Sequence, residues 1–383
     1  MKKIVYFSFG HVDVTLPLVK HLFNKKVDIE FVFAFQSARP GESVFHFPNS
    51  VNTVGFLSNE EIKSQVPFFI KEYLGEAINC IKVFMYPTFK LFSINTFKSN
   101  LLISKYAKSK DVIHVSGAGL FIWDRWISRR KKLIVTLHDH NPHTGEGSRL
   151  GLSELLEKKR TEYCDHLIVQ NKTDLNWFFQ HSKQKQISFI PFATLDYLRS
   201  INKKETRKIF SFIFFGRISE YKGLQFLLNA FKIVSQKYPL TELCIAGSGS
   251  SETLKEFSKL KNVKIINEFI ETEKLVELVV ASKFAICPYV DATQSGVATT
   301  ALSLGVPVIA SDIGGFRDVI VNGKNGLLVI PANAEALAKA MLRTIEEQGL
   351  QERMKEQIPV TLNELGFNWE KISDQLINIY RSN

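Results

Sequence analysis

Strongly apolar runs rich in Val, Ile and Phe alternate with segments of helical periodicity along almost the whole chain. We predict strands at KIVYFSF, VDIEFVFAF, DVIHVSG, KLIVTLH and DHLIVQN in the first half, and at FSFIFFG, LCIAG, KFAICPY, GVPVIAS and NGLLVI in the second. Near-continuous apolar strands separated by helices are typical of parallel sheets covered on both faces. The pattern therefore predicts an α/β protein with two doubly wound, Rossmann-like domains.

A polar stretch, TLDYLRSINKKETRK, separates the two sets of strands. We place the first domain at residues 1–195 and the second at residues 196–366. The segment from Gln65 to Lys110 interrupts the alternation, because it is helix-like and dense in aromatic and basic side chains. Two interpretations stay open: the helices pack on the sheet with basic outer faces, or one aromatic and basic face rests on a membrane surface.

The composition, 45% hydrophobic and 23% charged, excludes a disordered or fibrous chain. No apolar stretch approaches the ~18 residues that a membrane-spanning helix needs, so we expect a soluble or peripheral protein. Cys80, Cys164, Cys244 and Cys287 form no CxxC pair and lie in apolar stretches. We therefore predict buried thiols, neither disulfide nor structural zinc, and a reducing cytoplasm.

The net charge of +11 is unevenly distributed. Residues 1–200 hold 27 Lys and Arg against 18 Asp and Glu, whereas the remainder holds 22 against 20. A basic first half suggests nucleic acid, anionic lipid or a phosphorylated substrate as a partner. The absence of a recognition helix, zinc finger or RNP motif in the sequence argues against nucleic acid.

Doubly wound sheets bind ligands beyond the carboxyl ends of their strands, so we examine the loops that follow. Gly10 and His11 follow the first strand and precede a helix. His138 ends the KLIVTLH strand, followed by Asp139, His140 and His143, whose spacing does not favour a metal site. We interpret His138 as a hydrogen-bonding or acid/base group, with a structural loop histidine as the alternative.

Two loops of the second half suit phosphate. In FFGRISEYKGLQFLLNAF, Arg217 and Lys222 flank the start of an amphipathic helix, which makes an anion clamp suited to a diphosphate, although it is not a P-loop. In CPYVDATQSGVATTALS, a helix of small residues begins near Ser295 and Gly296. Small residues at a helix start allow a phosphate to approach the backbone N–H groups.

Taken together, the sequence resembles the family 4 retaining glycosyltransferases of the GT-B architecture (glycosyl transferases group 1). The segments that carry the resemblance are FFGRISEYKGLQFLLNAF, LCIAGSGS, ALSLGVPVIASDIGGFRDVIVNGKNGLLV and FNWEKISDQLINIYR. It is strong from Phe210 to Arg381 and weaker in the first half. The resemblance implies two Rossmann-like domains facing a central cleft, with a final helix at residues 367–383, including Trp369, crossing back to the first domain.

The resemblance also implies roles for individual residues. The second domain is expected to bind a nucleotide-activated sugar and the first domain the acceptor. The expected catalytic residues are Arg217, Lys222 and His138; the expected donor-binding residues are Gly10, His11, Gly247, Gly249, Phe269, Ile270, Asp291, Ser295, Gly296, Val297 and Thr300. Arg217 and Lys222 would neutralise the departing diphosphate, Phe269 and Ile270 would meet the base, and His138 would face the sugar.

The sequence departs from the family at one place. The two glutamates usually found eight residues apart are replaced by Ala292 and Thr300. Thr300 would then bond a ribose hydroxyl, and Asp291 would replace the first carboxylate. The backbone from Gln294 to Val297 keeps its capacity to bind phosphate.

The expected activity is metal-independent transfer with retention, from a nucleoside-diphosphate sugar to a glycan or polyprenyl-diphosphate-linked acceptor, in surface polysaccharide biosynthesis. We expect no cofactor, no nucleic acid, a cytoplasmic location and a peripheral association with the anionic inner face of the plasma membrane. The alternatives are a nucleotide-sugar 2-epimerase of the same fold and a non-catalytic sugar- or lipid-binding protein.

Overall fold

The structure is a computed structural model of the 383-residue chain. It describes residues 2–10, 12–36, 45, 54–86, 94–117, 131–138, 160–184, 186–201, 207–291 and 296–382. These residues form two compact units. The first unit contains the described residues up to 138, residues 160–191 and residues 369–382; the second contains the described residues between 192 and 368.

The described part of the first unit holds a sheet of eight strands in the order β3-β4-β2-β1-β5-β6-β7-β8. The strands are β1 Ile4–Phe9, β2 Ile29–Gln36, β3 Gly55–Phe56, β4 Ile81–Tyr86, β5 Val112–Gly117, β6 Lys132–Leu137, β7 His166–Val169 and β8 Ile187–Phe189. All neighbours are parallel except β3, which is antiparallel to β4. The strands are buried on both faces because helices cover each side of the sheet, which is why their sequences are almost continuously apolar.

The helices of this unit begin where the sequence supplies a cap. Their bounds are α1 Val12–Asn24, α2 Asn59–Gln65, α3 Phe68–Leu74, a 3₁₀ turn Gly75–Cys80, α4 Ile94–Ala107 and α5 Lys172–His181. Before α2, the Ser58 hydroxyl accepts from the Glu61 N–H and the Glu61 carboxylate accepts from the Ser58 N–H, which is a capping box. Asn171 caps α5 in the same way, accepting from the N–H of Asp174.

The helix-like interpretation of residues 65–110 is wrong for β4. Val83, Phe84 and Met85 form a short apolar run that is buried between β3 and β2. An apolar run of this length fits a buried strand as well as a buried helix, so periodicity does not distinguish them. The sequence prediction also missed the short strands β3 and β8.

The second unit holds, among its described residues, a sheet of six parallel strands in the order β11-β10-β9-β12-β13-β14. Its strands are β9 Phe210–Phe215, β10 Leu243–Ala246, β11 Val263–Ile266, β12 Ser282–Cys287, β13 Val308–Ser311 and β14 Gly326–Val329. Its helices are α6 Leu198–Ile201, a 3₁₀ turn Glu220–Lys222, α7 Leu224–Lys237, α8 Thr253–Phe257, α9 Thr272–Val280, α10 Gly296–Ser303, α11 Phe316–Val319, α12 Ala334–Glu346 and α13 Leu350–Glu364. Of these strands, β11 was not predicted.

The final helix, α14 (Trp369–Arg381), packs within the first unit. His21 of α1 stacks on Trp369 with ring centroids 5.6 Å apart, and Lys25 Nζ lies 2.6 Å from a carboxylate oxygen of Glu370. On the sheet side, the hydroxyl of Tyr380 lies 2.8 Å from His114 Nδ1. The expected return of the last helix to the first domain is therefore seen, and the predicted α/β fold class is confirmed.

Several lysines of the basic first unit have partners inside that unit. Lys25 also lies 2.6 Å from the Asp374 carboxylate, Lys110 pairs with Glu30, and Lys132 donates to the Ile379 carbonyl at 2.6 Å. Part of the charge asymmetry therefore stabilises the unit itself, in particular the attachment of α14. Within the described residues, no helix has both the length and the hydropathy to span a membrane.

The four cysteines are unpaired thiols. Cys164, Cys244 and Cys287 are buried, as predicted, and burial raises the pKa of Cys287 to about 12. Cys80 is the exception: it is only half-buried, because it ends the 3₁₀ turn that leads into β4.

Candidate functional site

In each unit the chain order of the strands reverses beside the first strand. In the second unit the chain runs from β9 outward to β10 and β11 and then returns to β12 on the other side of β9. In the first unit the corresponding reversal lies between β1 and β5. Open α/β sheets bind their ligands in the crevice at the carboxyl ends of the strands beside such a reversal. We call the side of each sheet at which these carboxyl ends lie the edge of its unit.

The loops after β9 and β12 lie against each other at the edge of the second unit. The N–H of Val290 donates to the carbonyl of Tyr221 at 2.8 Å. A Cβ added to Gly223 would lie 2.0 Å from the Pro288 carbonyl oxygen, so only glycine fits at this contact. The contact places the loop that carries Arg217 and Lys222 beside the loop that leads to Asp291.

Lys222 is a buried cation. Its side chain is only 6% exposed, and its ammonium donates to the hydroxyl of Tyr289 at 2.7 Å and lies 4.4 Å from the centre of that ring. The pKa of Lys222 is lowered to about 8, mainly by burial; Cys287 acts in the opposite direction, and Arg217 contributes to the lowering. A desolvated ammonium gains more from a neighbouring anion than a hydrated one, so Lys222 is suited to a charged ligand.

Tyr289 is a site residue that the sequence analysis missed. Its ring meets the rings of Tyr221 and Phe316 edge to face, with centroids 6.0 Å and 5.2 Å away, so its hydroxyl is held in position for Lys222. An aromatic residue two positions beyond the β12 strand was visible in KFAICPY. Only the fold shows that it meets a lysine 67 positions away.

Gly216 and the start of α10 adjoin this ammonium. A Cβ on Gly216 would lie 3.2 Å from Val297 Cγ2 and 3.8 Å from Lys222 Nζ. Gly296 is the first residue of α10 and faces open space. The backbone N–H groups at the start of α10 and the Lys222 ammonium therefore border the same part of the edge. Ala292, Gln294 and Ser295 lie outside the described residues.

The loops after β9 and β10 run side by side at backbone contact distance. Gly216 N donates to Ala246 O at 3.0 Å, and Ile218 N donates to Ser248 O at 2.8 Å. A Cβ on Gly247 would lie 2.0 Å from the Gly216 carbonyl oxygen, and one on Gly249 2.1 Å from the Ile218 carbonyl oxygen. Both glycines are thus required by packing between the loops, apart from any contact with a nucleotide.

The remaining predicted residues of this unit lie at the same edge of the sheet. Phe269 and Ile270 follow β11, two strands from β9; Phe269 is 56% exposed, whereas Ile270 packs partly into the core. Asp291 is half-buried and follows Val290 directly. Thr300 lies in α10 and is 8% exposed, so a hydroxyl bond to a ribose requires the ligand to press against that helix.

The edge of the first unit holds buried hydroxyl and imidazole groups. Gly10 follows β1, and its carbonyl accepts from the Ser8 hydroxyl at 2.7 Å. His138 follows β6, is 8% exposed, and its Nε2 lies 2.9 Å from the Ser116 hydroxyl of β5. Tyr6 bonds Ser116 as well, and burial raises the pKa of Tyr6 to about 12, so it stays neutral.

Ser116, Tyr6 and a buried arginine were not identified from the sequence. Arg160 is fully buried and donates to the carbonyl of Gly117, the last residue of β5, at 2.7 Å. In the sequence, such site residues could have been sought among the polar residues near the ends of the predicted strands, in the runs FSF, VSG and TLH. His11, Asp139, His140 and His143 lie outside the described residues, as does any contact that they make.

Residues 210–347 match the family model described as Glycosyl transferases group 1. The chain is 25% identical over 191 residues to an uncharacterised glycosyltransferase of Methanocaldococcus jannaschii, covering 49% of this chain and 48% of that protein. It is 27% identical over 201 residues to a D-inositol 3-phosphate glycosyltransferase of Corynebacterium urealyticum, covering 50% of this chain and 46% of that protein. The matches thus span about half the length of these curated relatives.

The solved structure of HepE of Anabaena in complex with UDP-glucose is similar over 99% of both chains, with a TM-score of 0.66 and 15% identity. A likeness at this identity concerns the fold, and it confirms the predicted GT-B architecture. The match of residues 210–347 to the group 1 glycosyltransferase model agrees with the prediction from the sequence. The finer assignment to family 4 stays a prediction.

Proposed function

Since residues 210–347 belong to the group 1 glycosyltransferases, we propose that this chain transfers a sugar from a nucleoside-diphosphate sugar to an acceptor. The donor would bind at the edge of the second unit and the acceptor at the edge of the first. The observation that carries the proposal is the buried ammonium of Lys222 next to Gly216 and Val297. A buried cation that pairs with no carboxylate among the described residues fits a site that receives an anionic ligand.

In this proposal the diphosphate of the donor lies between Lys222, the exposed Arg217 and the start of α10. When the bond between the anomeric carbon and the diphosphate oxygen breaks, negative charge develops on that oxygen. Lys222, Arg217 and the N–H groups of Gly296 and Val297 would stabilise this charge. Because two side-chain cations supply positive charge at the diphosphate, we propose that transfer requires no metal.

We propose retention by attack on the face from which the diphosphate leaves. The acceptor hydroxyl would form the new bond to the anomeric carbon, and its proton would pass to the departing phosphate oxygen. We assign Asp291, a half-buried carboxylate at this edge, to donor binding rather than to nucleophilic attack. His138, held by Ser116, would hydrogen-bond the sugar from the first unit.

The HepE structure was solved with UDP-glucose, so UDP is the first nucleotide to test. A glycan or polyprenyl-diphosphate-linked acceptor, a role in surface polysaccharide synthesis and a cytoplasmic location remain our proposals from the sequence. The acceptor-bearing edge of the first unit, with its neutral hydroxyls and imidazole, suits the hydroxyl groups of a glycan.

The first experiment is a thermal-shift series of the full chain with UDP, GDP, ADP and their common sugar conjugates. A ligand that binds only the folded state raises Tm by mass action, so we expect a shift with one nucleotide family. Nucleoside-diphosphate release is then measured with glycan and polyprenyl-diphosphate glycan acceptors. Release that requires acceptor supports transfer. Binding without release with every acceptor contradicts transfer and supports the binding-protein alternative, and no shift with any nucleotide overturns the donor site.

A further inference from the structure

Helix α4 exposes large apolar side chains and buries small polar ones. Ile94, Phe97 and Leu101 are 85%, 59% and 56% exposed. On the inner side, Ser99 and Asn100 are buried, and Ser99 donates to a carbonyl of its own helix. Since packing against the sheet normally requires the opposite arrangement, the exposed apolar side chains need another explanation.

The exposed apolar residues share one side of the helix with lysines. At 3.6 residues per turn, the apolar residues and the lysines fall within an arc of about 100°. We define the outer face of α4 as Ile94, Phe97, Lys98, Leu101 and Lys105, together with Lys108 in the turn that directly follows the helix, all of them exposed. The apolar members lie toward the amino end of the helix, and the lysines toward the carboxyl end.

The residues near this face in the sequence carry charge of one sign. Between Glu76 and Asp111 the sequence contains no acidic residue, while it contains Lys82, Lys90, Lys98, Lys105, Lys108 and Lys110. Lys110 forms an ion pair with Glu30, whereas Lys98, Lys105 and Lys108 are exposed on the outer face. The outer face of α4 is therefore apolar and cationic, which is the combination that binds an anionic lipid surface.

The structure confines this surface to α4. Ile103 and Ala107 of α4 pack on the side of the sheet that Ile113 and Val115 face, whereas the alternate residue His114 faces α14. Helix α3 lies with α1 on the α14 side, where Lys20 of α1 covers the ring of Tyr73. The aromatic residues of α3 and α4 are thus on opposite faces, so the segment from Gln65 to Lys110 does not form one surface.

We propose that the outer face of α4 docks on an anionic lipid bilayer, with the apolar residues in the interface and the lysines against lipid phosphates. A second copy fits less well. In an antiparallel two-fold dimer through this face, the lysine-bearing carboxyl end of α4 in one copy would lie against the apolar amino end of α4 in the other, so the lysines would meet no acidic partner. The proposal does not depend on the proposed transferase activity.

The test is flotation of the full chain with vesicles of phosphatidylcholine alone and with ~30% phosphatidylglycerol. We expect binding to the anionic vesicles that weakens as salt rises, and little to the neutral ones. The variant Ile94→Ser/Leu101→Ser and the variant Lys98→Gln/Lys105→Gln/Lys108→Gln should each lower the partition coefficient roughly tenfold or more. All substituted positions are exposed, so Tm should stay unchanged.

Matched controls use the second unit: Leu240→Ser, at a leucine that is 95% exposed, and Lys255→Gln/Lys259→Gln. Both should bind as the unaltered chain does, and so should Lys222→Met, which separates this test from that of the donor site. Equal binding by the α4 variants and the controls, or equal binding to neutral vesicles, overturns the proposal. A dimer in light scattering that Ile94→Ser/Leu101→Ser dissociates assigns the face to a second copy instead, and also overturns it.

Discussion

The two units present the same topological position with different chemistry. At the edge of the second unit, glycines bring two loops to backbone contact distance, and a desolvated ammonium, Lys222, lies at their side. At the edge of the first unit, a histidine, a serine and a tyrosine form a buried hydrogen-bonded group around His138, and the fully buried Arg160 donates to the Gly117 carbonyl at the end of β5. The first arrangement suits a ligand with concentrated negative charge, and the second suits hydroxyl groups. In the proposed function, donor and acceptor chemistry would thus be divided between the two units.

The halves also differ in how they use positive charge. In the first unit, Lys25 and Lys132 bind α14, and Lys110 binds Glu30. In the second unit, which is nearly balanced in charge, the buried cation points to a tyrosine hydroxyl rather than to a carboxylate. The net charge of a unit therefore does not locate a ligand site, and we base the proposed donor site on the burial of Lys222 instead.

The largest expected effect tests the charged edge. Lys222→Met removes the buried ammonium and keeps most of the side-chain volume, so transferase turnover should fall by roughly 10²–10³. The control is Lys232→Met, an exposed lysine on α7. Turnover is measured as nucleoside-diphosphate release. Equal turnover in the two variants would show that the edge of the second unit does not carry the charge of the diphosphate.

Gly247→Ala tests whether backbone contact defines that edge. The new Cβ would lie 2.0 Å from the Gly216 carbonyl oxygen, so the free energy of unfolding should fall by roughly 2–4 kcal/mol in urea denaturation. Gly366→Ala is the control, because Gly366 also has positive φ but faces open space. It should cost only roughly 1–2 kcal/mol. A smaller loss for Gly247→Ala than for Gly366→Ala would contradict the packing argument.

Ser116→Ala tests the edge of the first unit. Without the hydroxyl, His138 Nε2 loses its partner, and turnover should fall about tenfold while the affinity for the free nucleotide stays unchanged. Ser188→Ala is matched to it, since Ser188 bonds His166 at 2.8 Å near the amino end of β7 in the same sheet. That variant should change stability only. Weaker nucleotide binding by Ser116→Ala would contradict the proposal that only the second unit binds the nucleotide.

The smallest effect concerns pH. A diphosphate favours protonated Lys222, whose pKa is about 8, so nucleotide affinity should be highest below pH 8 and decline above it. Tyr289→Phe removes the acceptor of the ammonium proton, which lowers the pKa of Lys222 further and should move the decline to lower pH with a several-fold weaker affinity at pH 8. Calorimetric titration across pH measures the affinity and its pH dependence. The control is Tyr238→Phe, at a half-buried tyrosine whose hydroxyl donates to Glu346. An unchanged pH profile of nucleotide affinity for Tyr289→Phe would show that Tyr289 does not set the pKa of Lys222.

Most of the fold was predictable because parallel strands carry a local signal. The runs predicted as strands are strands in the structure, since each is buried on both faces by helices. The prediction failed at β4, whose buried residues Val83 to Met85 are preceded by Lys82 in a region of helical composition. Short edge strands such as β3 have no signal of their own, because their pairing partner lies elsewhere in the chain.

Site residues divide in a similar way. Gly216, Arg217 and Lys222 stand within one loop, so their spacing is visible in the sequence, and the glycines mark places where a side chain does not fit. Tyr289 and Ser116 were missed because their importance comes from contacts 67 and 22 positions away. Nothing local distinguishes such a tyrosine or serine from one that merely packs.

By itself, the sequence determined the alternation of strands and helices, the two-unit α/β class and the loop that carries the cations. These properties depend on residues near one another in the chain. The tertiary structure alone decided that Lys222 is desolvated and meets Tyr289, that lysines of the first unit hold α14, and that α3 and α4 lie on opposite faces of one sheet. Burial and pairing depend on which strands become neighbours, and strand order is a property of the assembled sheet.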